Sequence, residues 1–208
     1  MTSRTADFRS PLARLSRVNL FSPRQNKKDP TKKAKFEVNL LYPKSADLSS
    51  IKAAVIEAAK AEWGEKAVDL LKNGVIKQPI LDGDGPQGVN KTTGERYKEL
   101  EGMFFIRCAS NLQPALLNPK VMAAVEGTHL YSGCYGYAAI HAYTWESTEQ
   151  GRGVSIGISM VQHAKDGEKL GGGQADPSKF FETIPDDDNQ GSGGAAADTS
   201  DGAGALFS

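Results

Sequence analysis

Long apolar runs are absent from this 208-residue chain. No stretch approaches the ~20 consecutive apolar residues that span a bilayer, and the opening MTSRTADFRSPLARLSRVNLF lacks the apolar block of a secretory signal. The expectation is a protein that stays in the cytoplasm and has no membrane partner. Cysteine is scarce as well. Cys108 and Cys134 lie in apolar or small-residue segments and form no spaced framework, which points to a reducing compartment and to small core residues rather than a disulfide. The histidines, His129, His141 and His163, build no metal-ligand framework, so no metal is expected. Walker, GxSxG and HExxH motifs are missing. The run Asp82 to Gly85 (DGDG) resembles the opening of a calcium loop, but Pro86 follows where the next ligand belongs, and a tight surface turn is the better reading. Gly171 to Gly173 precede no helix and do not make a phosphate loop. With no convergent acid, base and nucleophile, neither an enzyme nor a cofactor is expected.

Net charge is also missing, since 25 Lys and Arg balance 25 Asp and Glu, and a zero total taken alone argues against a nucleic-acid partner. The distribution argues the other way. Residues 1–44 carry 11 bases against three acids, whereas residues 181–208 carry six acids and no base. Such asymmetry predicts a polyanion-binding face and an acidic tail. From Asp186 onward the chain is rich in Gly, Ala, Ser and Asp until Leu206 and Phe207. It cannot bury enough surface to offset its ordering entropy, which predicts disorder over 183–208. Residues 1–14, basic, polar and interrupted by Pro11, read as a flexible N-terminus.

Between these ends, apolar residues recur at period two, the mark of half-buried strands. In KFEVNLLY, Phe36, Val38, Leu40 and Tyr42 share one face, with Lys35, Glu37 and Asn39 opposite. In GMFFIRCA, Phe104, Ile106 and Cys108 oppose Met103, Phe105 and Arg107, so both faces are partly apolar. The longest candidate is GCYGYAAIHAYTWE at 133–146, which sets Cys134, Ala138, Ile140 and Ala142 against Tyr135, Tyr137, His141, Tyr143 and Trp145. A GRG turn then leads into residues 153–163, with Val154, Ile156, Ile158 and Met160 inward, which predicts a hairpin. Arg17 to Phe21 reads as a first strand ended by Pro23. Leu48, Ile51, Val55, Ala58 and Ala59 form a helical stripe over 47–63, with Asp47 or Ser45 as cap and Gly64 near the end, and a second short helix is expected over 65–72. Residues 78–96 read as a long surface loop. The predicted class is mainly β with one or two helices, folded as a small β-barrel.

Aromatic and basic residues remain to carry a function. Single strands are held by cations along the backbone and by aromatic faces under the bases, at about 1–3 kcal/mol per stacked base. The smoother, smaller face of 133–146 suits the interior of a tightly coiled barrel, which turns its aromatic face outward, where tyrosine is at home. Lys27, Lys28, Lys32, Lys33 and Lys35 precede a strand whose outer face shows Lys35 and Asn39, so they are placed to follow a phosphate backbone.

On these residues the chain resembles the OB-fold family of bacteriophage single-stranded DNA-binding proteins. The resemblance rests on VNLFSPR (18–24), FEVNLLYPKS (36–45), the helix ending in AEWG, GMFFIRCASN (102–111), SGCYGYAAIHAY (132–143) and GRGVSIGISMVQHAKDGEKLGGG (151–173). It implies an OB-fold-like domain over 15–182, sequence-tolerant binding of single-stranded DNA during phage replication and recombination in the host cytoplasm, and no enzymatic activity. The segments and the face assignment together nominate Arg17, Asn19, Phe21, Lys35, Asn39, Arg107, Tyr135, Tyr137, His141, Tyr143 and Trp145 as DNA contacts. Members of this architecture commonly end in an acidic, apolar-tipped tail that recruits replication proteins, a part that would fall here to Asp186, Asp187, Asp188 and Phe207. The competing expectation is a structural or protein-interaction barrel that binds no DNA.

Overall fold

The computed structural model describes residues 2–26 and 29–170. In chain order its elements are β1 (Phe8–Arg9), β2 (Ala13–Arg24), β3 (Lys35–Pro43), α1 (Ser49–Trp63), α2 (Ala67–Lys72), β4 (Ile76–Lys77), β5 (Ile80–Asp82), β6 (Met103–Ser110), β7 (Ala115–Leu117), β8 (Tyr135–Ser147) and β9 (Gly151–Lys165). Five of the strands close a ring. β2 pairs antiparallel with β3 and β3 with β6, β6 runs parallel to β9, and β9 pairs antiparallel with β8, which returns to β2. That ring is the expected OB-like barrel, whose five strands close in Greek-key order. The short strands lie along its edges, β4 and β7 against β9, β5 against β6, and β1 against β8.

The interior follows the period-two pattern. Val38, Leu40 and Tyr42 of β3, Ile106 and Cys108 of β6, Ala138, Ile140 and Ala142 of β8, and Val154, Ile156 and Ile158 of β9 are buried in one cluster with Ile51, Val55, Ala58 and Ala59 of α1. The α1 stripe therefore shares the barrel core, as its spacing predicts. Asp47 accepts the Ser49 N–H at 2.9 Å beside the helix start, and Gly64, at φ 72°, ends the helix in the left-handed region that glycine adopts without strain. Cys108 and Cys134 are buried free thiols, and burial pushes both thiol pKa values up. The doubly apolar character of β6 also has a cause. On its outer side Phe105 joins Leu41 and Leu100 in a second cluster, roofed by the segment that carries Tyr97 and Leu100. The DGDG run is a turn whose Asp82 and Asp84 hold Lys44 at 2.9 and 2.6 Å.

Five sequence expectations change. Within the stretch 78–96 read as a long loop, Ile80–Asp82 forms β5 and pairs with β6, because its apolar side chains pack against the two clusters, Ile80 on the core and Leu81 on the outer one. Residues 2–14 are not loose in this structure but lie antiparallel along β8. Thr5 and Ser10 N–H groups donate to the Ala142 and Ala138 carbonyls, while their hydroxyls accept the N–H groups of those same two residues. Side-chain oxygens thus complete a ladder that a polar sequence hides. The strand expected over 17–21 is β2, which spans Ala13–Arg24 and passes through Pro23, in a stretch where the β2–β3 register shifts between Asn19 and Arg24 and where a missing N–H costs little. The β8–β9 turn lies at 148–150, ahead of the GRG run, because Ser147 already pairs with Gly151. Met160 points outward at 47% exposure, since a register shift between Ala139 and Ile140 turns Val161 inward instead.

The last correction is testable. Ile140→Ala empties a fully buried site and should cost about 2–5 kcal/mol, whereas Met160→Ala should stay within about 1 kcal/mol. Urea unfolding midpoints of the two variants measure the contrast, and equal losses would mean that Met160 is in the core.

Candidate nucleic-acid interface

The outer face of β8 alternates strictly with its buried face, which leaves Tyr135, Tyr137, His141, Tyr143 and Trp145 half-buried on the outside of the barrel. What lies beside them on β9 is small: His141 faces Gly157, Tyr143 faces Ser155 and Trp145 faces Gly153. A Cβ on Gly153 would stand 2.6 Å from the Trp145 ring, and one on Gly157 would meet the His141 ring. The two glycines therefore leave room for these rings to lie against β9. Burial raises the Tyr143 phenol pKa, partly offset by a hydrogen bond with Ser155. Burial and then the Arg4 charge lower the His141 pKa, against the opposing pull of Asp7, whose carboxylate lies 2.9 Å away.

A trough of about 600 Å³ runs from these rings to Lys35 and the end of β6 at Ala109 to Leu112. At Ala109 it meets a second hollow of about 580 Å³, lined by Arg17, Arg24, Asn39, Tyr97 and Arg107. A third, of about 640 Å³, shares Arg24 and Glu37 with the second and Lys35 with the first, and adds Lys32 and Lys33 from the β2–β3 loop. The three adjoin one another through these shared residues and together make up a groove region across β3, β6 and the far half of β8. In OB barrels the outer face of the second and third ring strands, here β3 and β6, and the loops flanking it receive oligonucleotides.

The cations of the groove are placed by backbone irregularity. Arg17 has φ 51°, a left-handed conformation that a non-glycine residue adopts only when its surroundings demand it. The β2–β3 register shifts beside it, and the side chain is turned over the Tyr97 ring, with Cζ 4.5 Å from the ring centre. Arg107 pairs across the sheet with Asn39 and sits over Phe105 at 5.3 Å. Burial, and then repulsion by Arg17, lower the Arg107 pKa. Neither guanidinium is in an ion pair among the described residues. Glu37 is the acid of this hollow, and Arg24 holds it at 3.8 Å. Two guanidiniums of one hollow that no carboxylate holds in an ion pair among the described residues make a site for an anion with more than one oxygen to offer.

The residues expected from sequence do not all meet. Arg17, Asn39 and Arg107 line one hollow, and Lys35, His141, Tyr143 and Trp145 line the next. Asn19 instead braces the bulge, donating from its amide to the Arg17 carbonyl at 3.1 Å, and Phe21 packs against the core. Tyr135 and Tyr137 share the outer face of β8 but lie beyond the groove. Lys27, Lys28, Asp186, Asp187, Asp188 and Phe207 are outside the described residues. Tyr97 and Lys77 were not legible. Tyr97 follows an irregular loop with no periodicity, and Lys77, 5.9 Å from the Trp145 ring, reaches it only because β4 pairs with β9.

A protein designated p50 from Acyrthosiphon pisum secondary endosymbiont phage 1 is 28% identical over 155 residues, which cover 70% of this chain and 78% of that one. The structure of the single-stranded DNA-binding protein from bacteriophage Enc34, in complex with ssDNA, superposes with a TM-score of 0.56 at 22% identity, covering 82% of this chain and 89% of that one. Gp2.5, a single-stranded DNA-binding protein encoded by bacteriophage T7, superposes with a TM-score of 0.51 at 12% identity over 88% of this chain and 96% of that one. At these identities the two structures establish a shared fold. Residues 10–190 match the family described as Enterobacter phage Enc34, ssDNA-binding protein, and the chain belongs to that family.

Proposed function

We propose that this protein binds single-stranded DNA without sequence preference and without chemical modification, and that it protects strands exposed during phage DNA replication and recombination. The observation that carries the reading is the placement of the Trp145, Tyr143 and His141 rings in one hollow beside a second that holds the Arg17 and Arg107 guanidiniums, neither of which is in an ion pair among the described residues. Rings stack on bases of any identity and guanidiniums meet phosphates, so neither element reads sequence. The structure of a protein of the same fold, from bacteriophage Enc34, is in complex with ssDNA. The site of action is the host cytoplasm, and no helix among the described residues is long and apolar enough to cross a membrane. The acidic residues Asp186, Asp187 and Asp188 with the apolar tip at Phe207 are proposed to recruit replication proteins.

Fluorescence anisotropy of labelled oligothymidine with the full-length protein tests the reading. Binding should exceed that of an equal-length duplex and weaken with salt at a slope near −0.7 per phosphate contacted. Equal affinity for the duplex, or no dependence on salt, contradicts it. Trp145→Ala should lose about 1–3 kcal/mol of binding, roughly 5- to 150-fold, while Arg107→Ala should reduce the slope by about 0.7. Gly153→Ala adds a methyl where the Trp145 ring lies and should weaken binding although it removes no contacting group; unchanged affinity together with unchanged tryptophan emission would show that the ring is not held there.

A further inference from the structure

Three arginines of the N-terminal segment, Arg4, Arg9 and Arg14, stand opposite Tyr143, Ala139 and Tyr135 of β8. Successive arginines are five residues apart, their partners four. In an unbroken strand an odd spacing sends alternate side chains to opposite faces. One extra residue of the segment in each interval, a bulge, cancels this and keeps all three on the outer face. Arg9 stacks on Tyr137 with Cζ 3.7 Å from the ring centre. Tyr135 is flanked by Lys165 at 4.6 Å and Arg14 at 6.0 Å. Arg14 is fixed by donating to the Gly133 and Glu168 carbonyls.

The charge balance of this stretch is positive. Asp7 is held by Arg4 at 2.9 Å and by His141, and Asp166 lies against His163 and the Tyr131 hydroxyl. The Glu168 carboxylate is in the same stretch, where Lys169 lies 5.8 Å from the Tyr131 ring. Arg9 and Lys165 are in no ion pair among the described residues. From Trp145 to Tyr135 is ten residues of one strand face, about 33 Å at roughly 3.3 Å per residue.

We propose that this ladder of cations and tyrosines is a second contact segment for single-stranded nucleic acid. A strand leaving Trp145, Tyr143 and His141 continues along β8 over Tyr137 and Tyr135, with Arg9 and Lys165 on its phosphates. The inference rests on the single-strand-binding reading above and extends it to a longer site built by the N-terminal segment. A guanidinium stacked on a ring leaves its outer face free for a base and its edge for a phosphate oxygen.

The experiment compares the full-length wild type with the double variant Arg9→Ala, Lys165→Ala on oligothymidines of about six and about twenty-four nucleotides, the shorter held by a single groove. The variant should bind the short strand as the wild type does, bind the long strand about tenfold more weakly, and show a salt slope on the long strand shallower by about 1.4, or 0.7 for each lost contact. Arg9→Lys, Lys165→Arg should restore the slope. Unchanged binding of both strands, or the same loss on both, overturns the second segment while leaving the groove intact. A wild type that binds neither strand would instead remove the single-strand-binding reading, and this inference with it.

Discussion

Closure of the five-strand ring is the constraint on which the rest of the molecule depends. β8 pairs along one edge with β9 and along the other with β2 and the N-terminal segment, so its inner face looks into a barrel interior largely filled by Leu40, Tyr42, Ile106 and Ile140. Cys134, Gly136, Ala138 and Ala142 are buried at that wall. Once the small residues must face in, the alternation of an extended strand sends the aromatics out. The glycines of β9 then decide how those aromatics lie, because they leave room for rings to rest against the sheet rather than stand away from it.

Irregularities in the same ladders aim the charged groups. The bulge at Arg17 brings a guanidinium from the barrel's first strand over Tyr97 and toward Arg107, at the cost of a left-handed residue, of order 1–3 kcal/mol. The slips between the N-terminal segment and β8 keep Arg4, Arg9 and Arg14 on one face. A chain with no net charge thereby presents a cationic, aromatic surface. Two of the acids beside that surface are held in ion pairs, Glu37 by Arg24, and Asp7 by Arg4 and His141.

Much of this was legible because period-two patterning reports burial directly. The faces of β3 and β8, the α1 stripe and the hairpin of β8 with β9 all followed from it. Two of the failures are places where the ladder departs from regular pairing. The register shift at Ala139 and Ile140 moved Met160 to the surface, and hydroxyl acceptors at Thr5 and Ser10 made a paired segment resemble a loose one. Tyr97 reaches the groove, and Lys77 the Trp145 ring, through tertiary placement alone, and no local signal carries that.

The most direct test of the account is photocrosslinking of oligothymidine to the full-length protein, followed by mass-spectrometric mapping of the attached residues. The central claim is that single strands lie in the groove formed by the outer faces of β3, β6 and β8. It predicts adducts at Trp145, Tyr143 and Tyr97, which line that groove. Adducts confined to the α1–α2 side, around Ile56 and Leu71, would contradict it.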